Sequence, residues 1–533
     1  MYLPPIAALP YPQPPHGACQ TVGHAFIIRQ YHLFYPTHLT TMSLKPRTLS
    51  LKRPELVINK LLINGDWKAG AKTFPVLDPA TGAEIADVVD GTREDTTAAI
   101  KAASTAFNDF KTTTARQRSD LLRKWGALVR ENSSDLATLI SAENGKPLTE
   151  ATGEILSCAQ TFEWFSELAP HYNGATIPSQ VPNVRISSFR QPVGVCGIVT
   201  PWNFPSLMLA RKVGAAIGSG CTVVVKPAED TPLSALALLY LGQEAGVPDG
   251  VLNLITTKSH TVDVGEELTT NKDVRKITFT GSTGVGKLLM KQAASSVKKV
   301  SFELGGNAPF IVFDDADLAK VIPNAIASKF RGSGQTCVCA NRFFVQSGIY
   351  DRFVAEFTRA VEALKPGHGL DEGTTQGPLI NEKSLEKVKE HVADATGKGG
   401  RLTTGGEPRT DLGPWFYAPT VVADLDPHTA KVFSEETFGP LAAVAKFTSE
   451  EEVIALANSN EAGLGGYFFS NDINRCIRVS EALEVGMVGI NTGLITEVAL
   501  PFGGVKESGF GRENSNYGFE DYTVVKSTVT NIA

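Results

Sequence analysis

The chain has 533 residues, 42% hydrophobic and 20% charged, room for several domains of ~150 residues each and a composition that excludes disorder as the main state. The formal net charge is −6. Arg29, Lys45, Arg47, Lys52 and Arg53 all precede the first acid, Glu55, so the remaining body is more acidic than the whole and nucleic acid is not expected as a partner. No apolar run approaches the ~18 residues of a spanning helix, so no membrane association is expected.

Residues 1–41 hold seven prolines and four of the nine histidines without helical period. Residues 1–54 are expected to be a disordered N-terminal tail. Seven scattered cysteines do not make a disulfide framework, which points to a reducing, cytoplasmic setting. A mitochondrial leader in residues 1–41 is the alternative, although a leader should be richer in Arg and Ser. Met42 is a plausible second start.

Leu121, Leu122, Trp125, Leu128, Val129 and Leu136 recur at helical spacing and predict one amphipathic helical stretch. From about residue 194 apolar strand candidates take over, at 195–199, 222–225, 251–255, 276–280 and 299–302. They alternate with helical segments such as 234–245, the pattern of right-handed βαβ crossovers and a parallel sheet. A second mixed region runs from 309 to about 490. The Val- and Thr-rich end, 522–532, reads as an exposed strand in need of a partner.

Several short motifs carry chemistry. Phe279-Thr280-Gly281-Ser282-Thr283-Gly284-Val285-Gly286-Lys287 leaves a strand and opens a helix, where glycines let backbone approach a phosphate. It falls one residue short of a P-loop, because Leu288 stands where a magnesium-binding hydroxyl is required. A nucleotide hydrolase is therefore a weak rival, and a plain strand–helix turn remains open. Lys226 and Glu229 follow a strand and are placed to clasp a ribose or to form a surface pair. Cys337 and Cys339 stand one residue apart, but no His adjoins them, so no metal is expected and a thiol nucleophile is favoured over an inert buried cysteine. Glu303 ends a strand before Gly305 and Gly306, which would permit an irregular turn beside a general base. Asn203, between Pro201 and Pro205, can offer an amide N–H to an oxyanion.

Taken together and in this order, these motifs closely resemble the aldehyde dehydrogenase superfamily from roughly Leu62 to the C-terminus. Glu436-Thr437-Phe438-Gly439-Pro440 and Pro501-Phe502-Gly503-Gly504 extend the likeness. The resemblance implies an aldehyde dehydrogenase-like α/β fold. A Rossmann-type dinucleotide-binding domain would span 55–180 and 193–305, a catalytic domain 306–507, and a small β oligomerisation element 181–192 and 508–533. It implies Cys337 as nucleophile, Glu303 as base, and Asn203 with the Cys337 backbone N–H as oxyanion hole. Lys226 and Glu229 would hold the adenosine ribose, Gly281 and Ser282 the diphosphate, and Glu436 and Phe438 the nicotinamide ribose. Pro201 and Trp202 would border the cofactor, and Lys212 would lie near the nicotinamide.

Within the superfamily the likeness is closest to the succinate-semialdehyde branch. The strings that carry it include Arg211-Lys212-Val213-Gly214, Ser328-Lys329-Phe330-Arg331 and Asn491-Thr492-Gly493-Leu494-Ile495. Arg211 and Arg331 then occupy the positions that would bind a distal carboxylate, to which a guanidinium fork is suited. Phe204, Thr496 and Phe502 would line the same pocket, while Glu497 departs from the pattern and would repel a carboxylate there. The expected reaction is oxidation of succinate semialdehyde with NAD, NADP being the alternative cofactor; glutarate semialdehyde is the alternative substrate. Glu229 should disfavour a 2′-phosphate. A homo-oligomer, dimer or tetramer, is expected through 184–189 and the C-terminal strand. The resemblance also includes a Cys337–Cys339 redox pair in some members of that branch.

Overall fold

A computed structural model describes residues 49–532. The expected tail up to residue 48, with its alternative leader and Met42, lies outside the described residues. Residues 49–54 are not a loose tail. The backbone N–H groups of Lys52 and Arg53 donate to Asp135 at 3.1 and 2.8 Å, and Arg53 pairs with Glu244 at 2.7 Å. Leu49 and Leu51 pack against the core. Apolar anchoring and a buried carboxylate acceptor outweigh the basic, proline-containing composition.

Two sheets dominate. The first has eight strands in the order Asp66–Lys68, Leu61–Ile63, Leu252–Leu254, Thr222–Lys226, Val195–Val199, Val274–Thr280, Lys299–Glu303, Gly509–Phe510. The five strands from Leu252–Leu254 to Lys299–Glu303 run parallel, as their near-continuous apolar runs require of strands covered on both faces. The order turns back between Val195–Val199 and Val274–Thr280, which opens a crevice at the carboxyl ends of those two strands.

The second sheet has seven strands, with Ala308–Val312 and Ala340–Gln346 adjacent near its centre. Residues 304–307 are the whole connection between the last parallel strand of the first sheet and the first strand of the second. Carboxyl ends of one sheet are thereby brought against amino ends of the other.

The predicted single helical stretch around Trp125 is two helices, Ala115–Glu131 and Ser133–Asn144. Asn132 divides them, its side chain donating back to the Leu128 carbonyl at 2.7 Å, a local bond that competes with helix continuation. Trp125 stacks on Phe162 at 4.4 Å and donates to the Leu238 carbonyl, a polar tip satisfied within an apolar core. Helix Pro205–Ser219 is buried at every position but Leu207. Added Cβ atoms on its Gly214 and Gly218 would meet Phe165 and Phe519 at 2.9 and 2.8 Å, so its glycines allow close packing.

A third, three-stranded sheet joins Thr523–Asn531, Val184–Pro192 and Ala175–Ile177. It begins earlier than the expected 181, because Ala175–Ile177 pairs along Val184–Pro192. Gly509–Phe510, expected in the same element, instead pairs with Lys299–Glu303. No helix among the described residues is long and apolar enough to cross a membrane.

Candidate active site

Cys337 lies where two cavities meet. One, of about 230 Å³, occupies the crevice of the first sheet and is lined by Pro201, Trp202, Asn203, Gly281, Ser282, Glu436, Phe438 and Cys337 among others. The second, of about 310 Å³, lies on the other side of Cys337 and is walled by Phe204, Arg211, Arg331, Thr496 and Phe502, with Glu150.

The turn beside Cys337 is built by close approach. An added Cβ on Gly306 would stand 2.1 Å from the Cys337 carbonyl oxygen, and one on Gly305 would stand 2.9 Å from Glu436 Oε2. Neither glycine has a positive φ. The expected irregular turn is therefore a matter of space, not of unusual backbone angles. The chain leading to Cys337 does take left-handed angles, with φ of 59° at Gly332 and 56° at Ser333. Gly332 N–H is held by Glu150 Oε2 at 2.8 Å and Ser333 Oγ by the Gly377 carbonyl at 2.8 Å.

Asn203 is fixed from three sides. Its Nδ2 donates to the Gln335 carbonyl at 3.0 Å, which leaves its second amide N–H uncommitted. Its Oδ1 accepts from Phe204 N–H at 3.0 Å. Its carbonyl accepts from Lys146 Nζ at 2.6 Å, and that ammonium also bonds Glu154 Oε2 at 2.7 Å. Glu154 Oε1 in turn receives the N–H groups of Ser206 and Leu207 at the start of helix Pro205–Ser219, where a carboxylate is favoured.

Glu303 is buried, with Oε2 lacking a hydrogen-bond partner. Burial first, and then the nearby Glu513 carboxyl, hold its acid well above the usual carboxylate range. Burial likewise pushes the Cys337 thiol up to about 12, with Glu436 and Glu303 adding to the shift and Arg211 opposing it. Glu436, whose Oε1 accepts from Gly306 N–H at 3.0 Å, is pushed up to about 7, chiefly by burial. Phe438 meets Trp202 edge-on at 5.4 Å.

Not every expected residue faces a cavity. Lys212 lines neither; fully buried, it pairs with Glu513 and donates to Thr280 Oγ1 at 2.6 Å. Glu303 lines neither cavity, though it bears electrostatically on Cys337. Lys226 and Glu229 form an ion pair at 3.1 Å at the carboxyl end of their strand, outside the first cavity. Burial opposes ionisation of Glu229, but Lys226, a backbone hydrogen bond and the Lys258 charge together outweigh it and the carboxyl sits below its usual range. Glu497 is exposed and is not among the residues walling the second cavity, so the repulsion expected from it is relieved. Lys287, the apparent P-loop lysine, reaches Glu507 at 2.6 Å instead of closing over the glycine loop.

Cys337 and Cys339 are free thiols. The Cys339 thiol is buried and donates to the Lys329 carbonyl at 3.1 Å, and Cys339 belongs to neither cavity.

The second cavity has an unusual polar inventory. Arg211 and Arg331 are both in its wall. Arg211 Nε and Nη1 and Arg331 Nε have no hydrogen-bond partner. Arg211 stands over Phe502 at 4.4 Å and 3.9 Å from Glu513. Buried guanidinium donors left unpaired are costly, and an anion would satisfy them. Sequence reasoning missed Glu513, Glu150 and Lys146. Glu150 and Lys146 sit in the helical region ahead of the parallel sheet, and Glu513 follows the last recognised motif.

The first cavity suits a dinucleotide. It lies at the turning point of the strand order, and Ser282 caps helix Thr283–Ala293 without a side-chain bond, so the helix's first N–H groups are open to phosphate. Among the described residues no group of three or more His, Cys, Asp or Glu side chains is arranged to hold a metal ion.

Residues 67–528 match the Aldehyde dehydrogenase family. Among curated proteins the chain is 51% identical over 488 residues to the Schizosaccharomyces pombe protein named succinate-semialdehyde dehydrogenase [NADP(+)] 1, covering 91% of this chain and 98% of that one. It is 50% identical over 480 residues to a glutarate-semialdehyde dehydrogenase of Pseudomonas putida, covering 90% and 99%. Among solved structures, succinate-semialdehyde dehydrogenase from Burkholderia pseudomallei superposes with a TM-score of 0.89 at 51% identity, over 91% of this chain and all of that one. With its two-cavity site and a match running through both large sheets, the chain belongs to the aldehyde dehydrogenase family.

Proposed function

We propose that the protein oxidises succinate semialdehyde to succinate with NAD or NADP, a step of 4-aminobutyrate degradation. The observation that carries this reading is the buried Arg211 beside the half-buried Arg331, both with buried guanidinium donors left unpaired, in the cavity that opens on Cys337. A substrate with an aldehyde at one end and a carboxylate at the other would satisfy both ends of that cavity at once.

The Cys337 sulfur attacks the aldehyde carbon as its thiol proton passes to solvent, and the uncommitted Asn203 N–H and the Cys337 backbone N–H stabilise the resulting oxyanion. Pro201, Trp202, Glu436 and Phe438 orient the cofactor, with Gly281 and Ser282 at its diphosphate and Lys226 and Glu229 at the adenosine ribose. When bound, that cofactor supplies the hydride acceptor. Loss of hydride leaves an acyl group on Cys337 as a thioester. Glu303, once ionised, takes a proton from water, and the hydroxide that forms releases the acid. Lys212 acts from behind Thr280 by balancing Glu513.

Glu229, held ionised, favours a free ribose 2′-hydroxyl, whereas the neighbouring Lys226 gives a 2′-phosphate a counter-charge. The S. pombe relative is named for NADP(+), and both cofactors belong in the assay. Glutarate semialdehyde is the second reading, favoured by the P. putida relative. The outer edge of Thr523–Asn531 has no partner strand among the described residues, and it exposes Val524, Val525 and Val529. This supports assembly into a dimer or tetramer through that sheet.

Steady-state kinetics with C3, C4 and C5 semialdehydes and both cofactors test the substrate. The highest kcat/KM is expected for C4. A C5 optimum would transfer the assignment to glutarate semialdehyde, and preference for an uncharged aldehyde would overturn the guanidinium reading.

A further inference from the structure

Helix Glu382–Gly397 contributes no side chain to either cavity, yet it carries a buried imidazole directly behind the first. His391 is fully buried. Its Nδ1 shares a hydrogen bond with Thr437 Oγ1 at 3.0 Å, and its Nε2 lies 3.4 Å from Glu435 Oε2, too poorly aligned to count as a hydrogen bond. Glu435 and Thr437 are the two neighbours of Glu436.

Successive side chains of this loop point to different places. Glu436 accepts from Gly306 N–H, Thr437 turns to His391, and Phe438 meets Trp202. Phe438 has a φ of 54°, a left-handed angle that an aromatic residue adopts only when its surroundings impose it. The same helix grips the loop a second time, where Asp394 Oδ2 accepts from Lys431 N–H at 2.8 Å. A histidine with no access to either cavity does not exchange protons with substrate. What it touches is the back of the loop whose front faces the cofactor crevice.

We propose that His391 is a positioning residue for the cofactor: through Thr437 it sets the placement of Glu436 and Phe438. The inference rests on the reading of Glu436 as a cofactor contact. Burial and the facing Lys387 ammonium lower the imidazole's affinity for a proton, against Glu435 and Glu390, so a neutral ring is the working form.

The test uses the full chain with three substitutions, His391→Phe, His391→Gln and Thr437→Val, beside Glu436→Gln. Binding of NAD+ and NADP+ is followed by quenching of tryptophan fluorescence, and KM is measured for cofactor and aldehyde separately. Loss of one buried hydrogen bond predicts a rise of about 3- to 10-fold in cofactor Kd and KM for His391→Phe. His391→Gln should recover part of it. Thr437→Val should match His391→Phe, and a variant carrying both His391→Phe and Thr437→Val should be no worse than either single one. The aldehyde KM, and alkylation of Cys337 by iodoacetamide without cofactor, should stay within twofold.

Unchanged cofactor affinity in both His391→Phe and Thr437→Val, with Glu436→Gln impaired, would overturn the proposal. Unchanged affinity in Glu436→Gln would instead remove the reading on which it rests. Equal damage to aldehyde KM and alkylation would reduce His391 to a general packing residue. If His391→Phe fails to fold, Thr437→Val carries the same comparison.

Discussion

The two sides of Cys337 are built by different means. The cofactor-side wall is made largely of short turns that leave parallel strands, each a contiguous motif such as 201–205 or 279–284, joined by Glu436 and Phe438 from the loop ahead of strand Leu441–Phe447. The opposite wall is assembled from segments far apart in the chain: the helix carrying Glu150, the buried helix carrying Arg211, the turn at Arg331, and the loop at Thr496 and Phe502. The first wall offers open N–H groups at a helix start, and the second offers cations with unfilled donors. A recurring ligand is met by recurring local geometry, whereas a distinguishing substrate group is met by charge placed at depth.

The largest test of this division falls on its shared residue. Cys337→Ala should reduce oxidation to below a few per cent of the parent while cofactor binding, read by fluorescence quenching, stays near normal. Turnover well above that level in folded protein would place the nucleophile elsewhere.

Glu303→Gln should spare hydride transfer and slow acid release by about 100-fold or more, the usual weight of a general base. Rapid mixing should then show a burst of NADH followed by a slow phase. Because burial raises the Glu303 acid, the group is protonated below its raised pKa and idle there. In the parent enzyme the acid-release rate should therefore climb as pH rises through that range. A flat profile, or loss of the burst, would assign Glu303 another role.

The substrate side is sharpened by Arg331→Leu. Removing one charge-assisted partner should lower kcat/KM for the C4 semialdehyde by about 10- to 100-fold, while butanal, which has no carboxylate, should change little. Equal losses for both aldehydes would mean that Arg331 supports the fold and does not read the substrate.

The smallest effect belongs to Cys339. Cys339→Ala should leave activity without oxidant within twofold, since its thiol only caps the Lys329 carbonyl. After peroxide, a thiol reductant should restore the parent and not the variant if Cys339 pairs with Cys337. Identical recovery would dispose of the pairing.

What could be read beforehand follows the same division. The strand at 195–199 and the central strands beside it were legible because burial on both faces leaves uninterrupted apolar runs, and the turns that follow them carry their chemistry in adjacent letters. The break at Asn132 was not, because one side-chain bond decides it against a continuing apolar period. Glu513, Glu150 and Lys146 were not, because each matters through a partner distant in sequence: Lys212, Gly332 and Asn203. Arg211 and Arg331 were found through resemblance. Their unfilled donors, which give the resemblance a physical reason, emerge only once the fold buries them.

The Lys146–Glu154 pair also bears on ionic strength. Its two side chains are 2% and 0% exposed, so mobile ions do not reach between them, and breaking the pair by removing one partner would cost about 3–5 kcal/mol. Lys226–Glu229, with Glu229 39% exposed, lies within reach of counter-ions, whose screening length is about 8 Å at physiological salt. Added salt therefore acts unevenly across one active site. It weakens the Lys226–Glu229 pair proposed to hold the ribose, while the amide of Asn203 keeps its aim because the charges behind it are sealed off.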